Sequence, residues 1–285
     1  MLRYCLYGPA DGFPVVFHSG SPGSRWKRPD VVAATAASGV RLLVLDRPGY
    51  GGSTRRPGRS VADVVADVRR VTAAQGWGRF AVAGGSGGGP HALACAAGLP
   101  AQVTRCAVVG GISPPDTSGP RPDGDEPDVR RSLTSWLAAR GEAHLRPLVE
   151  DLAGQVMAGI AAGAPEFPPD PDAPRDTDTR PALGDPAAMA RLRATFVDSH
   201  DGWVDDNIAF AHPWGFDLAD ITVPVGLWFG TRDTRGGDHA RWLHAAVPHA
   251  ELHEYVGGHL QPDVAYRQLL TWLRRADPRS TVATP

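Results

Sequence analysis

Between Arg79 and Leu99 the chain reads RFAVAGGSGGGPHALACAAGL. A short apolar run, Phe80 to Ala83, ends in a glycine cluster, and an Ala-rich segment of helical character begins near Pro90. In that strand–turn–helix setting, Gly84-Gly85-Ser86-Gly87-Gly88 fits G-x-S-x-G, the nucleophile elbow. A serine that exposes its hydroxyl at a strand tip must sit in a tight, strained turn. Side chains two residues to either side would meet the neighbouring strand and the incoming helix, so glycine is required there. The following helix points its N-terminal N–H groups at the reacting centre, which suits an anionic intermediate. A dinucleotide fingerprint competes, since Gly87-x-Gly89-x-x-Ala92 matches loosely. It is disfavoured because Pro90 removes a donor and no acidic residue ends the next apolar run, Cys106 to Val109.

Outward from the elbow, apolar strands alternate with helical stretches. Leu2–Tyr7, Pro14–Phe17, Val40–Leu45, Val103–Val109, Val223–Phe229 and Glu251–Val256 are expected strands. A helix is expected to run through Ala37, and another closes the chain over Tyr266–Leu273. Ser60 and Asp63 form a capping-box-like start before Val61, Val64, Val65, Val68 and Val71, which repeat at helical spacing. This alternation predicts an α/β fold with a mostly parallel central sheet flanked by helices. The rhythm stops between Gly111 and Ile221, a span far beyond a normal crossover. Within it, Pro114–Asp128 and Pro165–Pro186 read as flexible connections. Val129–Ala139, Ala143–Ala162 and Ala187–Asp198 read as helices, and Trp136, Phe196, Trp203, Phe210 and Trp214 supply apolar bulk. The expected organisation is a core of residues 1–111 and 221–285, with residues 112–220 forming a helical cap inserted before the penultimate strand.

Composition bounds the function. At 42% hydrophobic and 21% charged, the 285-residue chain is that of an ordinary globular protein with one sizeable core. With 29 basic against 31 acidic residues, it carries no footprint for nucleic acid or an anionic membrane. Cys5, Cys95 and Cys106 are odd in number and lie in apolar runs, which suits free thiols in a reducing compartment. There is no apolar leader and no run of membrane-spanning length, so a cytoplasmic location is expected. Nothing in the sequence fixes an oligomeric state.

Four blocks join the elbow: the loop Ser19-Gly20-Ser21-Pro22-Gly23, the turn DRPGYGGS over Asp46–Ser53, Gly230-Thr231-Arg232-Asp233, and Gly257-Gly258-His259. With them the chain resembles the α/β-hydrolase superfamily along nearly its whole length, in the family order Ser, Asp, His. The resemblance implies Ser86 as nucleophile, His259 as general base and then acid, and Asp233 as the group that orients and stabilises the imidazole. It implies an oxyanion hole from the backbone N–H groups of Ser21 and Gly87. Asp116 is the alternative acid. His18 is expected to brace the oxyanion loop, and Asp46 and Arg47 to fix a turn beneath the site, while His91 has no assigned role. Ser19 stands where many relatives have histidine, and Thr234-Arg235-Gly236-Gly237 stands where they often show Val-Pro. The glycines at 85 and 89 are expected to leave open space near the nucleophile.

The expected activity is carboxylesterase-like. A serine hydrolase would cleave an ester, thioester, lactone or amide of a small, mainly apolar molecule through an acyl-enzyme, needing neither metal nor organic cofactor. The cluster His239, His244, His249 and His253 lacks H-E-x-x-H spacing on a helix and reads as surface or satisfied histidines. An aminopeptidase would need cap acids for a substrate ammonium, and Glu142, Glu150, Asp151, Asp205 and Asp206 are available. Carbon–carbon hydrolysis or a cyclisation stays possible on the same fold. The contrasting class is a non-catalytic small-molecule binder, against which the presence of serine, histidine and acid together argues.

Overall fold

The computed structural model describes residues 1–115, 129–162, 186–197 and 199–275. Among these residues seven strands form one sheet: β1 (Tyr4–Tyr7), β2 (Phe13–His18), β3 (Val40–Leu45), β4 (Phe80–Gly85), β5 (Val103–Val109), β6 (Val225–Gly230) and β7 (Ala250–Tyr255). Their spatial order is β1-β3-β2-β4-β5-β6-β7. Only β1 runs antiparallel to its neighbour; the other pairs are parallel. The expected strands were therefore right in kind and off by at most two residues at their ends.

Parallel strands need both faces covered, and consecutive apolar residues do this by pointing to opposite sides. Val16, Leu43, Val82 and Cys106 join a core with α2 (Val64–Ala74), α3 (Gly89–Gly98) and α8 (Thr234–Ala246). Their neighbours Val15, Leu42, Ala81 and Ala107 join a second core with α9 (Asp263–Leu273), which packs beside α1 (Pro29–Ala37). At the start of α2 the Asp63 carboxylate accepts from the Ser60 N–H at 2.7 Å and from its hydroxyl at 3.1 Å. This is the reach-back half of the expected capping box.

The chain winds outward from β2 through β3, then returns to β4 and winds the other way. The carboxyl ends of β2 and β4 therefore flank the point where strand order reverses, the place where an open α/β sheet leaves a crevice. The loop Ser19–Gly23 and the Ser86 turn both emerge there.

Between β5 and β6 lie α4 (Val129–Ala138), α5 (Glu142–Ala161), α6 (Pro186–Thr195) and α7 (Asp201–Phe210). A small cluster of its own, Ala138, Leu145, Val149 and Val204, joins α4, α5 and α7. At the far end of α7, Ala209, and Trp214 just beyond it, belong to the main core. The sequence reading missed α7. Asp116 and most of the two Pro-rich connections lie outside the described residues, as does Asp198 at the end of one expected helix. No helix among the described residues is long and apolar enough to cross a membrane.

Candidate active site

The site begins with backbone. Ser86 follows β4 at φ +51°, one of two non-glycine residues at positive φ among the described residues. It opens a single turn, Ser86–Gly88, that passes directly into α3. The flanking glycines carry the constraint the motif implies. A Cβ on Gly84 would lie 2.2 Å from the Gly88 carbonyl oxygen, and one on Gly88 would lie 2.1 Å from that of His18. Gly89 differs from expectation: a Cβ there would meet Val108 Cγ1 at 2.8 Å and Gly111 Cα at 3.2 Å. That glycine packs α3 against β5 and opens no space. At Gly85 only Phe17 Cζ lies near, at 3.7 Å.

Asp233 and His259 come together at the ends of the last two strands. His259 Nδ1 lies 2.7 Å from Asp233 Oδ2. The other oxygen, Oδ1, accepts from the Gly236 N–H at 3.0 Å and so caps α8. Thr234-Arg235-Gly236-Gly237 is thus the first turn of a helix. Its glycine leaves room for the carboxylate, since a Cβ at Gly236 would lie 2.1 Å from Asp233 Oδ2. The two loops are joined by Thr231 N–H to Tyr255 O at 2.8 Å and Arg232 N–H to Gly257 O at 2.9 Å.

Gly110, which the sequence reading did not single out, makes space for this pair. It continues β5 at φ +52°, and a Cβ there would lie 2.9 Å from His259 Cε1 and 3.3 Å from Asp233 Oδ2. In the β4–β5 register Gly85 pairs with Val109, so Ser86 is the residue that follows β4 as Gly110 follows β5. The imidazole therefore lies against Gly110, across the strand ends from Ser86, and its side chain is half-exposed. No hydrogen bond joins the Ser86 hydroxyl to His259; such bonds are commonly long without substrate and tighten when it binds. The only local hint of Gly110 in the sequence is the glycine pair that ends an apolar strand.

The loop after β2 closes the other side. A Cβ on Gly20 would lie 3.4 Å from Ser86 Cβ, and one on Gly87 would lie 2.6 Å from Ser21 Oγ and 3.1 Å from Phe210 Cε2. Ser19 Oγ donates to Ser24 O at 2.8 Å and accepts from Lys27 Nζ at 2.7 Å. The hydrogen bonding that follows from serine at this position is thus to Lys27 and Ser24.

His18 does not brace this loop with its ring. It is fully buried, Nε2 faces Cys95 Sγ at 3.6 Å, and Nδ1 has no partner. Arg47 does the bracing, donating to Ser19 O at 2.6 Å and Gly20 O at 3.0 Å. Asp46 behaves as expected of a turn-former. It accepts from the Arg25 N–H at 2.5 Å, and its Oδ2 occupies the space a Cβ on Gly51 would need.

Beneath the loop is a buried ionic cluster. Asp206 Oδ2 accepts from Arg47 at 2.6 Å, from Tyr50 Oη at 2.9 Å and from the Ser21 hydroxyl, and Oδ1 accepts from Arg59 at 2.6 Å. Burial opposes charge on Asp206, but Arg47 and Arg59 outweigh it and hold the carboxyl well below the usual carboxylate range. Breaking such a buried set by removing one partner typically costs about 3–5 kcal/mol.

His18 and His91 are kept neutral by burial, reinforced by Arg47; His18 is pushed down to about 3 and His91 falls well below its ordinary value. His91 Nδ1 donates to Gly87 O at 3.0 Å, the role the sequence had not supplied. Both groups have folded-state values below their unfolded ones. The unfolded chain therefore takes up protons first as pH falls below about 6.5, and stability drops from there toward pH 4. The expected slope is roughly 1.4 kcal/mol per pH unit per histidine. Urea midpoints at pH 7.5, 6 and 5 check this, and equal midpoints would contradict neutral burial of the pair.

A family model described as the alpha/beta hydrolase fold matches residues 14–262. The chain belongs to the α/β-hydrolase fold family. It is 32% identical over 139 residues to a non-heme chloroperoxidase from Streptomyces lividans, covering 48% of this chain and 50% of that protein. It is 30% identical over 156 residues to a proline iminopeptidase from Xylella fastidiosa, covering 51% and 42%. The chain thus spans about half the length of the curated relatives it matches. Among solved structures, an esterase from Exiguobacterium antarcticum aligns with TM-score 0.70 at 18% identity over 96% of both chains. An enol-lactonase from Burkholderia xenovorans aligns with TM-score 0.62 at 18% identity over 95% of both. At such identities these α/β-hydrolase structures agree in fold.

The acids considered for a substrate ammonium are largely engaged. Glu142 pairs with Arg55 and Arg146, Glu150 with Arg146, Asp205 with Arg55, and Asp206 is buried. Asp151 accepts from Gln155 at 2.7 Å.

Proposed function

We propose that this α/β-hydrolase is a serine hydrolase of small, mainly apolar esters, thioesters, lactones or amides. The observation that carries the reading is the His259–Asp233 pair at 2.7 Å lying over Gly110, beside a serine held at φ +51° on the adjoining strand end. In this reading His259 takes the Ser86 proton during attack and returns it to the leaving group. Asp233 keeps the proton on Nδ1, so that Nε2 is the free base, and stabilises the imidazolium that forms. The oxyanion is received by the N–H groups of Ser21 and Gly87. The first makes no hydrogen bond among the described residues, and the second lies in a first helical turn, where N–H groups lack internal partners. The helices α4–α7 of the insert act as a cap over this edge of the sheet, with Phe210 forming part of the pocket wall near Gly87.

Arginines already satisfy most of the candidate ammonium-binding acids, which favours neutral acyl substrates over the free amino terminus of a peptide. The test is a panel of p-nitrophenyl esters of graded acyl length, run on wild type beside Asp233→Asn. Wild type should turn over short or medium esters, and Asp233→Asn should lose about 10⁴-fold in kcat because the wrong tautomer is favoured. Full activity in a folded Asp233→Asn would move the acid role to another group, Asp116 first.

A further inference from the structure

We propose that Asp206, on α7, is a positioning residue that sets the Ser19–Ser21 loop in place for the oxyanion; this rests on the serine-hydrolase reading above. The loop has no regular secondary structure and two glycines within five residues, and its local ties are those of Ser19 Oγ with Ser24 O and Lys27. What holds its underside comes from farther along the chain. Arg47 holds the carbonyls of Ser19 and Gly20, and both Arg47 and Asp206 hold the Ser21 hydroxyl. Arg47 is 2% exposed, and a guanidinium so buried requires a counter-charge, which Asp206 supplies. Every tie on the loop from below therefore leads to one carboxylate, 185 residues along the chain from Ser21.

α7 is docked for this purpose by charge and close backbone contact. Asp201 and Asp205, one turn apart, meet Arg55, and Asp206 meets Arg47 and Arg59, all three arginines coming from the connection between β3 and α2. The Gly202 N–H donates to Gly49 O at 3.1 Å, and a Cβ on Gly49 would lie 2.6 Å from Gly202 N. Oxyanion geometry and docking of the insert are thereby one event. Asp206 touches no reacting atom; it acts through Arg47 and Ser21, so its loss should be felt where the loop donates to developing charge and not where substrate first binds.

The experiment uses the full chain as wild type, Ser21→Ala, Asp206→Asn and the double variant. A fluorophosphonate probe first reports whether Ser86 is reactive. Kinetics with p-nitrophenyl acetate then separate kcat from KM, and a trifluoromethyl ketone, which adds to the serine as a tetrahedral oxyanion, reports binding of that charge. Folded Asp206→Asn and Ser21→Ala should each lose about 10–100-fold in kcat with KM within about twofold, and should lose ketone affinity by a matching factor. The double variant should be little worse than Asp206→Asn, because both remove one shared tie. Should Asp206→Asn not fold, Ser21→Ala decides, since it cuts the tie without unpairing a charge. Wild-type kcat in either folded variant, or a loss confined to KM with ketone affinity intact, would overturn the inference while a labelled wild type left the serine-hydrolase reading standing. An unlabelled, folded wild type would end both.

Discussion

Ser86→Ala should lower kcat/KM on the best ester by on the order of 10⁴–10⁶-fold, with little change in melting temperature. The substitution removes one oxygen and keeps Cβ, so the strained turn at φ +51° gains no atom that has to be housed. What remains is whatever the oxyanion donors and substrate binding supply without a nucleophile, a residual advantage of about 10³–10⁴ over water. His259→Ala should fall in the same range, and the double variant should be no worse than either single one, because groups that act as a unit are not additive. Steady-state kinetics on separately expressed preparations check this. A variant retaining a tenth of wild-type activity would place the nucleophile elsewhere.

Gly88→Ala should lower stability far more than a methyl added at nearby Gly85. The added Cβ would lie 2.1 Å from His18 O, 2.7 Å from His18 C and 2.7 Å from Ser19 O. All three are backbone atoms at the end of a central strand, so no flexible side chain can yield. Relief requires moving α3 away from β2, with cost at or above the upper end of the usual overpacking range, about 3 kcal/mol. For a chain of this size that is a fall of roughly 6–12 °C in Tm. Gly85→Ala is the internal control. Its φ is −102° and only Phe17 Cζ is near, so it should stay within about 1 kcal/mol of wild type. Differential scanning calorimetry of the two variants compares them directly; equal melting temperatures would contradict the close approach at the elbow.

The elbow and the sheet could be read in the sequence because each has a local signature, while the pairing of Asp233 with His259 followed from the resemblance in block order. Apolar strands give runs, tight turns require glycine, and Asp233 and His259 each follow a strand closely in blocks the family order names. The underside of the Ser19–Gly23 loop has no such signature. Asp205 and Asp206 sit side by side in DGWVDDNIAF, where adjacent acids look like a solvated surface and hide the helix, since α7 docks through charge as much as through an apolar stripe. Asp206 was visible only as a possible ammonium site, and its partners Arg47 and Arg59 lie 159 and 147 residues away. The bracing role expected of His18 fell to Arg47 for a related reason. A histidine beside a loop is easy to see, but burial turns its Nε2 to Cys95 and leaves Nδ1 without a partner, and only the folded chain brings the arginine underneath. Gly89 carried the opposite lesson: a glycine can mark close packing as readily as open space.

The central claim is that Ser86 is an activated nucleophile served by His259. Its most direct test is peptide mapping by mass spectrometry after a fluorophosphonate has been given to wild type, Ser86→Ala and His259→Ala. One adduct per wild-type chain on the peptide carrying Ser86, none on that site in Ser86→Ala and a greatly slowed adduct in His259→Ala is the predicted result. An adduct on another residue, or labelling of Ser86 at the wild-type rate without His259, would contradict it.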